Sequence, residues 1–196
     1  FVMALTRPAD EAGASAAPVE TEQHTLELEG RALKVRIYHP GPRSRRAVLV
    51  VHGVHHGGYD EPRLVRYAKQ LARFGYTAVT PEIEDLANYE ITAAAADDIE
   101  IAARWLSEDS ELADLMSAEP EIGLHGISFS GGLCLSVAAR PSLAGEIDHV
   151  FAFGGHGDLD TTMAYLATGN TRAGNHLRPH VYGQAVLLRR HASALV

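Results

Sequence analysis

Apolar positions fall along this chain in distinct rhythms, and each rhythm predicts a different element. Thr25–Leu28 and Leu33–Tyr38 alternate apolar and polar around Glu29-Gly30-Arg31, the pattern of an antiparallel hairpin at a sheet edge. Ala47–Val51 is an unbroken, largely β-branched apolar run, which fits a central parallel strand covered on both faces. Tyr76–Pro81, Ile122–Gly126 and Ile147–Gly154 read as further strands, the last again as an apolar run. Between them the period becomes helical. Leu64, Val65, Ala68, Leu71 and Ala72 follow Asp60-Glu61-Pro62, which places acid and proline at a helix start, and Gly75 ends the segment. Thr92 caps a second helix through about Leu106, with Ile99, Ala102, Ala103 and Leu106 on its inner face. Leu133–Ala139 belongs to a third. Strand–helix alternation means an α/β fold with a mostly parallel sheet and ligands at the carboxyl ends of its strands. His52-Gly53, Pro81-Glu82, Ser128 and Gly154-Gly155 stand at such ends.

Past Gly154 no further strand is evident. Residues 160–196 read as a loop, turn-rich over Gly169–Asn175, and then a helix over Tyr182–Leu195. Its apolar residues Tyr182, Ala185, Val186, Leu187 and Leu188 need a surface to cover, and the strand ends around Ser128 provide one. Residues 7–22, rich in Pro, Ala, Glu and Gly and without periodicity, read as a tether. The expected organisation is a tether over 1–22, an α/β core over 23–160 and a cap or lid over 161–196. The chain begins at Phe1 and stops at Ser193-Ala194-Leu195-Val196, which reads as part of a longer protein. Phe1–Leu5 fits the end of a removed signal or anchor as well as an arbitrary start, so cytoplasmic and extracytoplasmic placements both stand open.

The chemistry concentrates in Glu-Ile-Gly-Leu-His-Gly-Ile-Ser-Phe-Ser-Gly-Gly, residues 121–132. An apolar run ends in a small residue, then Ser128, then small residues opening a helix. Such a strand–turn–helix pushes a hydroxyl into a cleft and aims a helix N-terminus at the same place. A second register would put Ser130 at the tip, between Ser128 and Gly132. Ser128 is preferred because Gly126 directly follows the strand and Gly131-Gly132 then open the helix; an ordinary strand-to-helix turn is the plain alternative. A second motif, Ala-Val-Leu-Val-Val-His-Gly-Val-His-His-Gly-Gly at 47–58, places His52-Gly53 at the end of a buried strand.

Together these motifs resemble the α/β-hydrolase superfamily, whose nucleophile elbow is written Gly-x-Ser-x-Gly and whose third strand is followed by His-Gly. Here Ser130 stands where the second glycine is expected. The resemblance covers residues 20–160 and is nearest to the dienelactone-hydrolase-like and small carboxylesterase branches. It implies a three-layer α/β/α fold with an N-terminal hairpin and a helical cap, with Ser128 as nucleophile. It implies an oxyanion hole formed by Val54 and Phe129 N–H. In the family the acid and then the histidine follow Ser128, and Asp158 and His180 stand in that order. Against these two, Asp158 fits a loop residue or helix cap, and His180 fits a surface or cap-packing histidine. The further expectation is that His180 does not hydrogen-bond Ser128, and that the base histidine lies outside this chain.

Composition narrows the classes. A net charge of −8 over 196 residues argues against nucleic acid, and the basic residues Arg43, Arg45 and Arg46 fit a solvated loop. No segment has the length and apolarity of a transmembrane span. Cys134 is the one cysteine, so no internal disulfide can form. The eleven histidines include His52, His55 and His56, yet no cysteine pair or clustered carboxylates accompany them, and no metal or other cofactor is expected. The glycine clusters lack the phosphate-cradle lysine and dinucleotide spacing. The resulting expectation is a serine hydrolase cleaving a small-molecule carboxylic ester through a Ser128 acyl-enzyme. The alternatives are a catalytically silent binding domain or inactive fragment, and a thioesterase or acyltransferase using the same residues.

Overall fold

The computed structural model describes residues 18–28, 30–41, 44–108 and 116–192. Expectations for Phe1–Leu5, for most of the tether, for Glu29 and Arg43, for the side chains of Arg45, Tyr182 and Ala185, and for 193–196 lie outside what it describes. Among the described residues six strands form one sheet in the order β1-β2-β4-β3-β5-β6. β1 (Thr21–Leu28) and β2 (Arg31–Tyr38) make the expected antiparallel hairpin, with Leu26 opposite Leu33. β2 pairs antiparallel with β4 (Tyr76–Pro81). β3 (Ser44–Val51) lies between β4 and β5 (Met116–Ile127), parallel to both, and β6 (His149–Phe153) extends the parallel part beyond β5. β1 already pairs Thr21 with Tyr38, so the sheet begins two residues before the expected start of the core.

The unbroken run in β3 has its reason in two helical layers. Ala47, Leu49 and Val51 face α3 (Ala93–Glu108) and α4 (Phe129–Ala138), in one core with Ile99, Ala103, Leu106 and Val137. Val48 and Val50 face α1 (Pro62–Arg73), in a second core with Leu64, Ala68, Leu71 and Ala72. Both faces of β3 are therefore covered, as a central parallel strand requires. Glu61 caps α1 by accepting from Arg63 N and Leu64 N, and Thr92 Oγ1 caps α3 by accepting from Ala95 N at 3.0 Å.

Four features depart from the sequence pattern. The single-turn helix α2 (Glu84–Ala87) follows β4, too short to show a period. β5 begins earlier than expected, at Met116. Beyond Asp158 the segment expected as loop contains a helix, α5 (Leu159–Thr168), paired with α6 (Val181–Ala192). β6 is partly exposed despite its apolar sequence, with Val150 and Phe151 half-buried and Phe153 62% exposed, because it is the outer strand of the described sheet. In α6, Val186 is buried in the larger core while Val181 and Leu188 are exposed.

Candidate functional site

Ser128 links the carboxyl end of β5 to the N-terminus of α4 at φ 59°, ψ −130°. Among the described residues only Tyr89 shares a positive φ without being glycine. A side chain in that region is strained and persists only where its surroundings enforce it. Those surroundings are backbone. Ser128 N–H donates to Phe153 O at 2.7 Å, and Ser128 O accepts from Gly131 N–H at 2.9 Å. A Cβ on Gly126 would lie 2.5 Å from Gly131 Cα, so the strand can pass this close to the helix only with glycine there.

Ser130 is placed quite differently. It is fully buried, accepts from Ile127 N–H at 2.8 Å, and has the carbonyls of Val51 (2.9 Å) and Ile127 (2.8 Å) as acceptors for its own proton. Its hydroxyl ties β3 to the turn. Ser128 is half-buried, and its Oγ has no hydrogen-bond partner among the described residues.

The loop leaving β3 lies directly against this turn. A Cβ on Gly53 would sit 2.8 Å from Ile127 O and 2.9 Å from Ser128 Cβ. The next residue, Val54, is buried. Phe129 is the first residue of α4, so its N–H has no acceptor within the helix. His52 holds the loop in place. Its Nε2 accepts from Ile83 N–H at 3.1 Å, which leaves Nδ1 protonated and donating to Gly53 O at 2.8 Å. Burial lowers its pKa, so it is a neutral brace whose two nitrogens are both engaged. His55 and His56 stack at 4.4 Å, with His55 Nδ1 accepting from Gly57 N–H and His56 beside Tyr89 OH. No group of three metal-ligating side chains occurs among the described residues.

Asp158 is the N-cap of α5. Its Oδ1 accepts from Thr161 N–H at 2.8 Å, and Arg172 Nη1 approaches Oδ2 at 4.0 Å. The bonds from Thr161 lower its pKa. His180 is exposed beside buried Pro179, ahead of α6, and it is not a partner of Asp158 or of Ser128 Oγ. The residue brought to the helix behind Ser128 is His156. Its ring lies 5.8 Å from that of Phe129 and over Gly132, where a Cβ would come within 2.4 Å of it. His156 Nε2 is buried without a hydrogen-bond partner among the described residues. The chain shows it only as one of several histidines after β6; the legible cue is its two flanking glycines.

No protein-family model matches this sequence, and no curated protein matches it. Solved structures do. Brefeldin A esterase, a bacterial homologue of human hormone-sensitive lipase, is 20% identical with a TM-score of 0.61 over 98% of this chain and 60% of its own. The dienelactone hydrolase of Anabaena variabilis is 16% identical, with a TM-score of 0.59 over 90% of this chain and 81% of its own. A hyperthermophilic esterase of the archaeon Pyrobaculum calidifontis is 16% identical, with a TM-score of 0.61 over 94% of this chain and 59% of its own. The chain thus spans about three fifths of the length of these two esterases. At such identities the likeness is one of fold.

Proposed function

The chain has the α/β-hydrolase fold, and on that premise we propose that it belongs to a serine hydrolase that cleaves a carboxylic ester through Ser128. One observation carries the reading: Ser128 is held at a positive φ with its hydroxyl unpartnered, and the loop after β3 passes so near its Cβ that only glycine fits at position 53. In the proposed reaction Ser128 Oγ attacks the ester carbonyl carbon and its proton passes to a histidine. The carbonyl oxygen becomes an oxyanion, held by Phe129 N–H and Val54 N–H. Collapse breaks the bond to the alcohol, which leaves with the proton, and water then releases the acid from Ser128. Each oxyanion donor is worth about 3–4 kcal/mol of barrier. A thiol ester, or an acceptor other than water, would use the same groups.

We propose that the base histidine comes from outside the Asp158–His180 stretch. Ser128 Oγ has no partner among the described residues, and Asp158 is engaged in capping α5. α6, which buries Val186 in the larger core and leaves Val181 and Leu188 exposed, is the segment we propose as a lid over the strand ends. The same unpartnered Oγ favours a second reading, a silent binding domain of this fold. Among the described residues no helix is long and apolar enough to cross a membrane.

The test is turnover of a short-chain nitrophenyl ester by the full-length protein. Ser128→Ala should lower it by a factor on the order of 10⁵. Equal rates in the two proteins would overturn the proposal, and no turnover by either would favour the silent domain.

A further inference from the structure

A polar chain of Tyr67, His125 and His149 crosses the α1 face of the sheet. His125, 3% exposed, sits in β5 between Leu124 and Gly126. Its Nδ1 lies 2.8 Å from the hydroxyl of Tyr67 on α1. Its Nε2 lies 3.1 Å from Nε2 of His149, the first residue of β6. Phe151 walls the pair, its ring 5.3 Å from that of His125. The His149 ring rests on Gly123, where a Cβ would fall 2.3 Å from Cε1 and from Nε2. No side chain but glycine leaves room for the ring in that position.

We propose that His125 and His149 form a two-imidazole site for a divalent transition-metal ion of the Zn²⁺, Ni²⁺ or Cu²⁺ class. Two nitrogens each about 2.0–2.1 Å from one ion stand about 2.9 Å apart at a right angle and about 3.3 Å apart at the tetrahedral angle. The observed separation lies between those values. A ligating histidine ordinarily gives its other N–H to an oxygen, which turns its free lone pair to the metal. Tyr67 supplies that oxygen to His125. His149 is exposed, so its ring is free to turn until the two lone pairs converge, its proton then residing on Nδ1. With no third protein ligand among the described residues, water completes the shell. The imidazole pair selects this class over Mg²⁺ or Ca²⁺, which prefer oxygen. The ion would tie the outer strand β6 to β5 and, through Tyr67, to α1, which makes its role structural.

The experiment is titration of Zn²⁺ into the chain, read by calorimetry and by the melting temperature. His149→Ala, Gly123→Ala and Tyr67→Phe are compared with a His55→Ala/His56→Ala control, and circular dichroism verifies the fold of each. The expected result is one Zn²⁺ per chain, a rise in melting temperature, and loss of the site in His149→Ala. Affinity should fall at least tenfold in Gly123→Ala, fall about tenfold or more in Tyr67→Phe, and stay unchanged in the control. No binding by the unaltered chain would overturn the proposal. Binding equal in His149→Ala, or lost in the control alone, would overturn it too.

Discussion

Around Ser128 the chain is held by close backbone packing and by side chains that bind separate strands together, whereas between Asp158 and His180 polar side chains close local turns. At the first place Gly126 meets Gly131, Gly53 meets the turn, and Phe153 O takes the Ser128 N–H. At the second, Asp158 caps α5, Thr171 Oγ1 bonds Asn175 across a turn, and His176 Nδ1 pairs with Asn170. A reacting serine must be fixed to a fraction of an ångström, and strain at a positive φ survives only under such constraint. The nucleophile half of the proposed site has that constraint; the segment carrying the candidate acid and base shows capping and turn closure.

The largest effect should separate the two serines of the turn. Loss of turnover in Ser128→Ala should be accompanied by near-normal turnover in Ser130→Ala. The latter should instead lose about 1–3 kcal/mol in urea unfolding, because Ile127 N–H loses its acceptor. The opposite pattern would move the nucleophile to Ser130.

Breaking the backbone packing comes next. Gly126→Ala places a methyl 2.5 Å from Gly131 Cα and Ser130 O, neither of which can swing away. We expect a cost of about 3 kcal/mol, read as a lowered urea midpoint. Unchanged stability would mean the approach of strand and helix is looser than described.

A comparable effect should follow pH. His125 titrates near the ordinary 6.5 when unfolded and at about 4 when folded. Between those values the unfolded chain binds the extra proton, so stability is present above pH 6.5 and is lost as pH falls toward 4. The loss should reach about 3 kcal/mol. His52, also lowered by burial, acts in the same direction. A His125→Leu variant should flatten the profile, and an unflattened one would assign the acid sensitivity elsewhere.

The smallest effect concerns Asp158. Asp158→Asn keeps an N-cap acceptor, so turnover and melting temperature should scarcely move, whereas Asp158→Ala should lower the melting temperature slightly. Since its carboxylate is held below the usual range, the cap's charged form is present above the ordinary carboxylate pKa and lost as pH falls through the lowered value. Turnover abolished by Asp158→Asn, together with His180→Ala, would establish an acid and base within this chain.

The central layer was legible because its physics is local. Ala47–Val51 carries no alternation because both its faces are covered, and Gly126 and Ser128 stand where a tight turn demands them. Helix α5 escaped because its Asp158-x-x-Thr161 cap lies in a run of glycines that reads as loop. The exposure of β6 could not be read either, since an apolar run looks the same in the middle of a sheet and at its outer strand. His125 and His149 lie far apart in sequence and meet only because β5 and β6 are neighbours. The hole, the base and the lid depend on such long-range placement.

The most direct measurement is covalent labelling of the full-length protein by a fluorophosphonate, with the adduct mapped by peptide mass spectrometry. The account predicts one adduct, on Ser128, kept in Ser130→Ala and absent in Ser128→Ala. An adduct on Ser130, or a folded protein that takes no label at all, would contradict it.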